Sequence, residues 1–296
     1  MAESFRCGII ALQGRPNVGK STLFNRLVGS RLSIISSRPQ TTRQQLLGIK
    51  TGRDAQWIYV DTPGVGALAK SGGGGDQGTR EVYAVDCTVL VITAQGWRIG
   101  DERALESARR RPGPVLLAIN MIDRCRDRRE LLPLIDQSAS KMGFAEIVPL
   151  SAKSGDNVPE FECALRKYLP EREAIFPADQ VTDRTERFIA AEFVREQIFR
   201  RFAQEVPYSV MVEIDRFQER KNMLFIDAVI GVARKGQKPI LLGKGGARLK
   251  EIGQNARLAM EQFFGTKVEL RLWIKVREIR SERGQFEHPL GLTLEP

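Results

Sequence analysis

Histidine is almost absent from this sequence, and its absence narrows the possible chemistry. The 296 residues include one histidine, His288, near the end of the chain. Histidine-ligated metal sites and histidine-based catalytic triads are therefore set aside. The four cysteines, Cys7, Cys87, Cys125 and Cys163, contain no C-x-x-C pair, which argues against a zinc knuckle or a redox dithiol. No secreted disulfide framework is indicated, and a reducing cytoplasm is expected.

Long apolar runs are also missing. No stretch approaches the roughly 18–20 apolar residues that a membrane-spanning helix needs. The apolar run that begins at Cys7 is too short for a signal peptide. The sequence therefore predicts a cytoplasmic protein with no transmembrane segment.

The composition that remains is that of a folded, basic protein. Hydrophobic residues make up 42% and charged residues 28%, and this length favours two domains. The net charge of +10 favours a polyanionic partner, although a basic protein without such a partner is the alternative. Residues 1–176 hold 25 basic and 19 acidic residues and residues 177–296 hold 21 and 17, so both parts share the excess.

Short apolar strands alternate with helical patterns in the first part of the chain. This alternation predicts a mostly parallel sheet with helices on both faces, an α/β fold. The predicted strands are Cys7–Leu12, Gln56–Val60, Thr88–Thr93, Val115–Ile119 and Ile147–Leu150, and the predicted helices are Lys20–Leu27, Asp101–Arg111, Arg129–Lys141 and Val158–Leu169.

Two prolines and the loss of any periodic pattern mark a boundary near residues 170–183. We predict a first domain over residues 1–173, a linker over 174–183 and a second domain over 184–296. The second domain is expected to be a smaller α+β fold in the order helix, strand, strand, helix, helix, strand. Its predicted elements are Glu186–Phe202, Tyr208–Ile214, Met223–Val232, Lys238–Leu242, Ala247–Phe264 and Val268–Val276.

A phosphate-binding loop follows the first predicted strand. The pattern G-x-x-x-x-G-K-[ST] is met by Gly14, Arg15, Pro16, Asn17, Val18, Gly19, Lys20 and Ser21, with Thr22 next to it. Glycines let the backbone N–H groups converge on a phosphate, and the following helix presents its positive end to the same anion. Lys20 is expected to reach the β- and γ-phosphates, and the Ser21 hydroxyl to bind Mg²⁺.

An acidic residue at the end of the second predicted strand supports the same site. The segment Asp61, Thr62, Pro63 and Gly64 places a carboxylate near Mg²⁺ and the Gly64 N–H near the γ-phosphate. Between the two motifs a polar loop contains Thr41 and Thr42, and one of these hydroxyls is expected to complete the Mg²⁺ shell; which one stays open.

Two more motifs follow predicted strands and indicate the base. They are Asn120, Met121 and Asp123 in N-x-x-D, and Ser151, Ala152 and Lys153 in S-A-K. A carboxylate such as Asp123 can accept from guanine N1–H and N2–H, a donor pattern that adenine lacks. The Ala152 N–H is expected to donate to guanine O6. The predicted ligands are thus GTP and GDP with Mg²⁺.

A second glycine loop lies in the other domain, inside a basic stretch. Residues 234–257 hold seven basic residues and one acidic residue. A GxxG loop between two helices is the clamp of a KH domain, which binds about four nucleotides of single-stranded RNA. The expected RNA-binding residues are Gly243, Lys244, Gly245, Gly246, Arg248, Lys238 and Lys250, with Ile240, Leu241, Leu249 and Ile252 as the apolar floor of a groove.

Taken in order, these motifs resemble a known family. GRPNVGKST, PQTTR, DTPG, N-x-x-D and SAKSG are similar to those of TRAFAC-class GTPases, and with VPYSVMVEI and GKGGARLKEIG the chain resembles the Era family of ribosome-assembly GTPases over Arg6 to Val276. The resemblance implies slow GTP hydrolysis, a type II KH domain, binding near the 3′ end of 16S rRNA and to the 30S subunit, and peripheral association with the inner membrane. It implies catalytic roles for Lys20, Asn17, Gly64, Thr41 and Thr42, with Asn17 at the position of a potassium-ligating asparagine. The alternative for Asn17 is that it only braces the loop through its own backbone.

Several positions depart from the family pattern. Met121 stands where the family has lysine in N-K-x-D, which predicts weaker guanine nucleotide binding with guanine preference retained. Val65 stands where Ras-like proteins have a water-orienting glutamine, but here the resemblance itself implies a hydrophobic residue, so Val65 is not a departure from the family pattern. A glycine run, Ser71–Gly75, replaces a charged switch helix, and the tail after Lys275 diverges. An RNA-binding assembly factor with little nucleotide turnover, and an ATPase that has lost guanine selection, are the alternatives.

Overall fold

The computed structural model describes residues 4–33, 46–61, 84–202, 207, 210–276, 286–287 and 293–294. The chain divides into two compact units, Met1–Arg184 and Thr185–Pro296. The predicted linker, residues 174–183, lies within the first unit. Gln56 Nε2 donates to Phe176 O at 2.8 Å, and Thr182 Oγ1 donates to Leu47 O at 2.7 Å. These bonds fasten the segment to one side of the first unit's sheet.

The first unit is built on a six-stranded sheet in the order β2-β3-β1-β4-β5-β6. All neighbouring strands are parallel except β2 and β3. The strands are β1 (Arg6–Gln13), β2 (Leu46–Thr51), β3 (Ala55–Asp61), β4 (Cys87–Thr93), β5 (Val115–Asn120) and β6 (Glu146–Pro149), and the helices are α1 (Lys20–Val28), α2 (Ile99–Arg109), α3 (Leu131–Lys141) and α4 (Val158–Lys167).

The core explains why the central strands read as continuous apolar runs. Every residue of β3, β4 and β5 is buried, as expected of parallel strands that are covered on both faces. Apolar side chains of α2 and α3 pack on β4 and β5 in one cluster, which includes Leu90, Ile92, Leu105, Leu117 and Leu131. The predicted α/β class of the first domain is confirmed.

One strand of this sheet was not predicted from the sequence. Strand β2 pairs antiparallel with β3 from Leu46↔Asp61 to Thr51↔Gln56. The six residues of β2 follow a polar stretch of sequence, and no alternation of apolar and polar residues distinguished them from that stretch. The other boundaries differ by small amounts; for example, α3 begins at Leu131 rather than Arg129, after a 3-10 turn over Arg128–Glu130.

The second unit has a three-stranded mixed sheet with helices on it. Strand β8 is central, antiparallel to β7 and parallel to β9. The elements are α5 (Glu186–Arg201), β7 (Met211–Arg220), β8 (Met223–Val232), α6 (Gln237–Leu242), α7 (Ala247–Phe264) and β9 (Lys267–Val276), followed by the short antiparallel pair β10 (Phe286–Glu287) and β11 (Thr293–Leu294). This order confirms the predicted α+β class.

Strand β7 ends later than predicted. It runs from Met211 to Arg220, beyond the predicted end at Ile214, and the predicted start, Tyr208, lies outside the described residues. Lys221 and Asn222 both have positive φ, 48° and 57°, so they form the two-residue turn that joins β7 to β8. Pairing with β8 across this tight turn extends β7 through its polar residues.

Among the described residues, none of the helices combines the length and the apolar character that a membrane crossing requires.

Candidate functional site

The phosphate loop, residues 14–19, connects β1 to α1 and requires glycine at both ends. Gly14 has φ 151°, and a Cβ there would lie 2.4 Å from Val91 O. Gly19 has φ 93°, and a Cβ there would lie 2.4 Å from Asn120 Nδ2. Asn17 also has positive φ, 66°, and its side chain is exposed at the loop. The motif's residue types thus match the backbone that they form.

Lys20 begins α1 and points back into the loop. Its Nζ donates to the carbonyl oxygens of Gly14 and Arg15, each at 3.0 Å, and the residue is 9% exposed. Burial lowers the pKa of the Lys20 ammonium from its ordinary value, and the negative charge of Asp61 acts in the opposite direction. The structure therefore places a cation where the loop's backbone converges.

Asp61 ends β3 beside the start of α1. Its Oδ2 accepts from Ser21 Oγ at 3.2 Å and from Ser33 Oγ at 2.7 Å, and the residue is fully buried. The two predicted Mg²⁺ ligands of the described residues, Ser21 and Asp61, are thus adjacent. Thr22 follows Ser21 on α1.

Arg15 has a buried partner that the sequence did not predict. Arg15 Nε donates to Asp101 Oδ2 at 3.1 Å, and its guanidinium also donates to Thr93 Oγ1 at 3.2 Å. Asp101 is fully buried at the start of α2 and accepts from Arg98 N at 3.0 Å. Burial raises the pKa of Asp101, and Arg15 opposes that shift. An aspartate is common in the first turn of a helix, so the sequence around Asp101 did not indicate a contact with Arg15.

Asn120 joins three segments that are far apart in the sequence. Its Nδ2 donates to Val18 O at 2.8 Å, and its Oδ1 accepts from Met121 N at 2.7 Å and from Ala152 N at 2.9 Å. The residue is 2% exposed. The Ala152 N–H, which the sequence analysis assigned to guanine O6, is therefore already bonded to a protein oxygen.

Asp123 lies at the surface, and one of its carboxylate oxygens accepts a hydrogen bond. Its Oδ1 accepts from Ser151 Oγ at 2.6 Å, and the Ser154 N–H donates to the same hydroxyl at 3.1 Å. The carboxylate is exposed, whereas Ser151 is fully buried. Lys153, the last residue of the S-A-K motif, is exposed next to them.

Met121 takes the left-handed backbone conformation, with φ 69°. Its methyl carbon, Cε, lies 3.6 Å from the point where a Gly19 Cβ would stand. The thioether side chain therefore covers the phosphate loop next to Asn120. Pro16 and Val18 complete the loop, with Val18 fully buried.

Part of the predicted site lies outside the described residues. This applies to Thr41, Thr42, Thr62, Pro63, Gly64, Val65 and the segment Ser71–Gly75.

The second glycine loop shapes the turn between α6 and α7. Gly243 has φ 69° and ψ −178°, a backbone region that is open almost only to glycine. A Cβ there would lie 2.7 Å from Arg248 Cγ, whereas nothing lies within 4 Å of a Cβ at Gly245 or Gly246. Lys244, Gly245 and Gly246 form a 3-10 turn, and Gly246 N donates to Gly243 O at 3.2 Å. One side of the loop is thus open backbone.

The flanking cations are exposed, with one partial exception. Lys238, Lys244 and Lys250 are exposed. Arg248 NH1 donates to Ile240 O at 3.1 Å, and its guanidinium lies 5.9 Å from the centre of the Phe202 ring. Arg248 therefore packs against the fold while it remains exposed.

The expected apolar groove needs a correction. Ile240 is 43% exposed and Leu249 is half-buried, so both are accessible beside the loop. Leu241 and Ile252 are fully buried and belong to the core of the second unit, so they do not form an open floor. Helical periodicity placed all four near one another but did not fix which side of each helix faces the sheet.

Family models match both units. A model described as a 50S ribosome-binding GTPase matches residues 9–121, and a KH domain model matches residues 205–280. The GTPase Era of Marinobacter nauticus is 46% identical over 291 residues, which cover 97% of this chain and 95% of that protein. The GTPase Era of Stenotrophomonas maltophilia is 47% identical over 277 residues, 92% of each chain.

Two solved structures are similar over most of the chain. One is a crystal structure of Era in complex with MgGDPNP and nucleotides 1506–1542 of 16S ribosomal RNA, at a TM-score of 0.81 and 38% identity. The other is a variant of Aquifex aeolicus Era bound to GDP and AlF4⁻, at 0.81 and 37%. Each match covers 93% of this chain and 95% of the solved chain.

Proposed function

Because the chain belongs to the GTPase Era family, we propose that it binds GTP and GDP with Mg²⁺, hydrolyses GTP, and binds the 3′ end of 16S rRNA in 30S subunit assembly. The observation that carries the nucleotide site is the buried Asn120 side chain, which bonds to the phosphate loop and to the Ser151–Lys153 loop at once. Asn120 thereby fixes the distance between the loop that would hold the phosphates and the loop that would hold the base.

The phosphate end of the site follows from the residues around Lys20. The backbone N–H groups of the phosphate loop, which Pro16 lacks, and the positive end of α1 bind the β-phosphate. Lys20 Nζ exchanges its two carbonyl partners for phosphate oxygens. Ser21 and Asp61 would hold Mg²⁺, the Ser21 hydroxyl as an oxygen ligand and the Asp61 carboxylate through the ion's water shell. When bound, the ion would neutralise charge on the phosphoryl oxygens. Thr41, Thr42 and Gly64 keep the roles that the sequence predicts.

The base end of the site is proposed to select guanine. The exposed carboxylate of Asp123 accepts from N1–H and N2–H, while the Ser151 hydroxyl donates to its Oδ1. Adenine carries an acceptor at N1 and would leave this carboxylate unpaired, which costs binding free energy. Guanine O6 shares the Ala152 N–H with Asn120. Met121 supplies apolar cover without a charge.

The second unit is proposed to hold single-stranded RNA at the Gly243–Gly246 loop. Open backbone at Gly245 and Gly246 admits a phosphate, and Lys238, Lys244, Arg248 and Lys250 add positive potential. Ile240 and Leu249 offer apolar surface to the bases. Coupling between the two sites requires that RNA affinity differ between the GTP and GDP forms.

Two further properties rest on the family resemblance. Potassium at Asn17 would support hydrolysis, since Val65 cannot orient water; the exposed, left-handed Asn17 is compatible with this. Equal GTP turnover in Na⁺ and K⁺ buffers, or unchanged turnover in Asn17→Ala, would contradict it. Peripheral membrane association stays a prediction, tested by co-sedimentation with vesicles of inner-membrane lipid.

Phosphate release tests the proposal. GTP and ATP are compared in K⁺ buffer, with and without an oligonucleotide of the 16S rRNA 3′ end. Phosphate release from GTP but not from ATP supports the proposed GTPase activity. Val65 and Met121 favour a second candidate function, an RNA-binding assembly factor with little GTP turnover. The absence of phosphate release from GTP under every condition would support this second candidate. Equal release from ATP would indicate that guanine selection has been lost.

A further inference from the structure

Arg26 connects the phosphate-binding helix to the loop that would read the base. It lies on α1, six residues after Lys20. Its Nε donates to Ala152 O at 3.1 Å, and its NH2 donates to Lys153 O at 2.6 Å. The guanidinium also lies against Gly155, where a Cβ would be 3.3 Å from NH1. One planar side chain therefore holds two successive carbonyl groups of this loop.

These bonds fix the direction of the two peptide groups that they touch. In a trans peptide the N–H points away from the C=O, so the N–H groups of Lys153 and Ser154 face away from Arg26. The Ser154 N–H donates to Ser151 Oγ at 3.1 Å, and Ser151 Oγ donates to Asp123 Oδ1 at 2.6 Å. A continuous chain of hydrogen bonds thus runs from Arg26 through one peptide group and one hydroxyl to the Asp123 carboxylate.

We propose that Arg26 is a positioning residue for base recognition, which sets the orientation of residues 151–155 and, through Ser151, of Asp123. This inference rests on the proposed guanine nucleotide site. The bonds of Arg26 to described residues go to the base loop and not to the phosphate end of that site, so its removal changes the affinity for the base and not the rate of phosphoryl transfer. Helix α1 then serves both ends of the ligand, with Lys20 at the phosphate and Arg26 behind the base loop.

The test compares three nucleotides with Arg26→Ala and Arg26→Lys. Dissociation constants are measured for GDP, for IDP, whose base lacks the N2 amino group, and for ADP. We expect Arg26→Ala to weaken GDP binding about 10-fold and IDP binding about 2-fold, because the contact of Asp123 with the amino group is lost with its orientation. Turnover at saturating GTP should change less than about 2-fold. Arg26→Lys keeps the charge but not the planar fork, and an intermediate result is expected.

Arg129→Ala is the matched control, since it removes an exposed guanidinium that bonds to Asp127. It should leave all three dissociation constants unchanged. The proposal is overturned if Arg26→Ala weakens GDP, IDP and ADP equally, if it alters only turnover, or if it has no effect while its thermal unfolding matches the parent. If the unmodified protein itself binds ADP as tightly as GDP, the guanine site fails first, and that result is separate from any Arg26 variant.

Discussion

At Gly19 a Cβ atom would lie 2.4 Å from the Asn120 amide, whereas at Gly245 and Gly246 it would meet nothing within 4 Å. Both loops take positive φ, and both are proposed to bind phosphate. The loop in the first unit is surrounded by protein on its inner side, and the loop in the second unit is open. The two regions therefore need glycine for different reasons: packing and backbone conformation at Gly19, and backbone conformation alone at Gly245 and Gly246.

The side chains repeat this difference. Lys20, Asp61 and Asn120 are buried and each bonds to neighbouring segments. The cations Lys238, Lys244 and Lys250 are exposed. A site that is prearranged by buried bonds suits one ligand of fixed shape, and its affinity depends on geometry. An open loop with exposed cations suits a flexible polymer, and its affinity depends on charge and salt.

Gly19→Ala should have the largest effect of the changes considered, because it strains the backbone and forces Asn120 to move. We expect GDP binding to fall by about 100-fold or more and the free energy of unfolding by about 2–4 kcal/mol. Gly246→Ala, the counterpart in the open loop, should cost only about 1–2 kcal/mol and leave GDP binding unchanged. Calorimetric titration with GDP and thermal unfolding test both variants. Equal destabilisation by the two would break the comparison.

Gly245→Asp should weaken RNA binding about 10-fold or more at low salt. Its Cβ lies in open space and aspartate tolerates positive φ, so the fold should persist while the carboxylate repels the RNA phosphates. Gly245→Asn has nearly the same shape without the charge, and its affinity should stay within about 3-fold of the parent. Titration of a labelled oligonucleotide of the 16S rRNA 3′ end measures both. A similar loss in the two variants would mean that shape, not charge, limits the open loop.

The positions of both glycine loops and most elements of the fold were predictable from the sequence. The G-x-x-x-x-G-K-[ST] pattern located the phosphate loop between β1 and α1, and the alternation of strands and helices predicted the sheet. The GxxG loop was placed between α6 and α7, whose bounds were predicted to within one residue. Patterns of this kind record which residues share a strand, a helix or a turn.

The contacts between segments could not be predicted. Nothing in the pattern linked Arg15 to Asp101 or Arg26 to Ala152, because each pair is separated by more than eighty residues and meets only once the sheet has formed. The same limit explains Leu241 and Ile252, which periodicity placed in a groove and the fold buries. Strand β2 was missed because it is short and depends on pairing with β3.

Met121→Lys should raise GDP affinity by about 5- to 10-fold, a smaller change than the preceding two. Met121 covers Gly19 with its methyl group, and a lysine stem at this place would bring an ammonium to the carbonyl oxygens of the phosphate loop. Met121→Leu keeps an apolar cover without charge and should leave the affinity within about 2-fold. Titration with labelled GDP decides the matter. Equal affinity in the parent and the lysine variant would mean that the buried Asn120 network already fixes this site.

Lys244→Ala should have the smallest effect, and it tests whether the open loop works by charge alone. The removal of one exposed cation should weaken RNA binding about 2- to 5-fold and reduce the slope of log affinity against log salt by about 0.7–1, without change in thermal unfolding. Arg248→Ala also removes a cation, but Arg248 bonds to Ile240 O and lies over Phe202, so this variant should lower the unfolding temperature as well. RNA titrations at several salt concentrations measure the slopes. If Lys244→Ala lowered affinity but left the salt slope unchanged, its ammonium would act through a specific bond, and the open loop would be as geometrically defined as the phosphate loop.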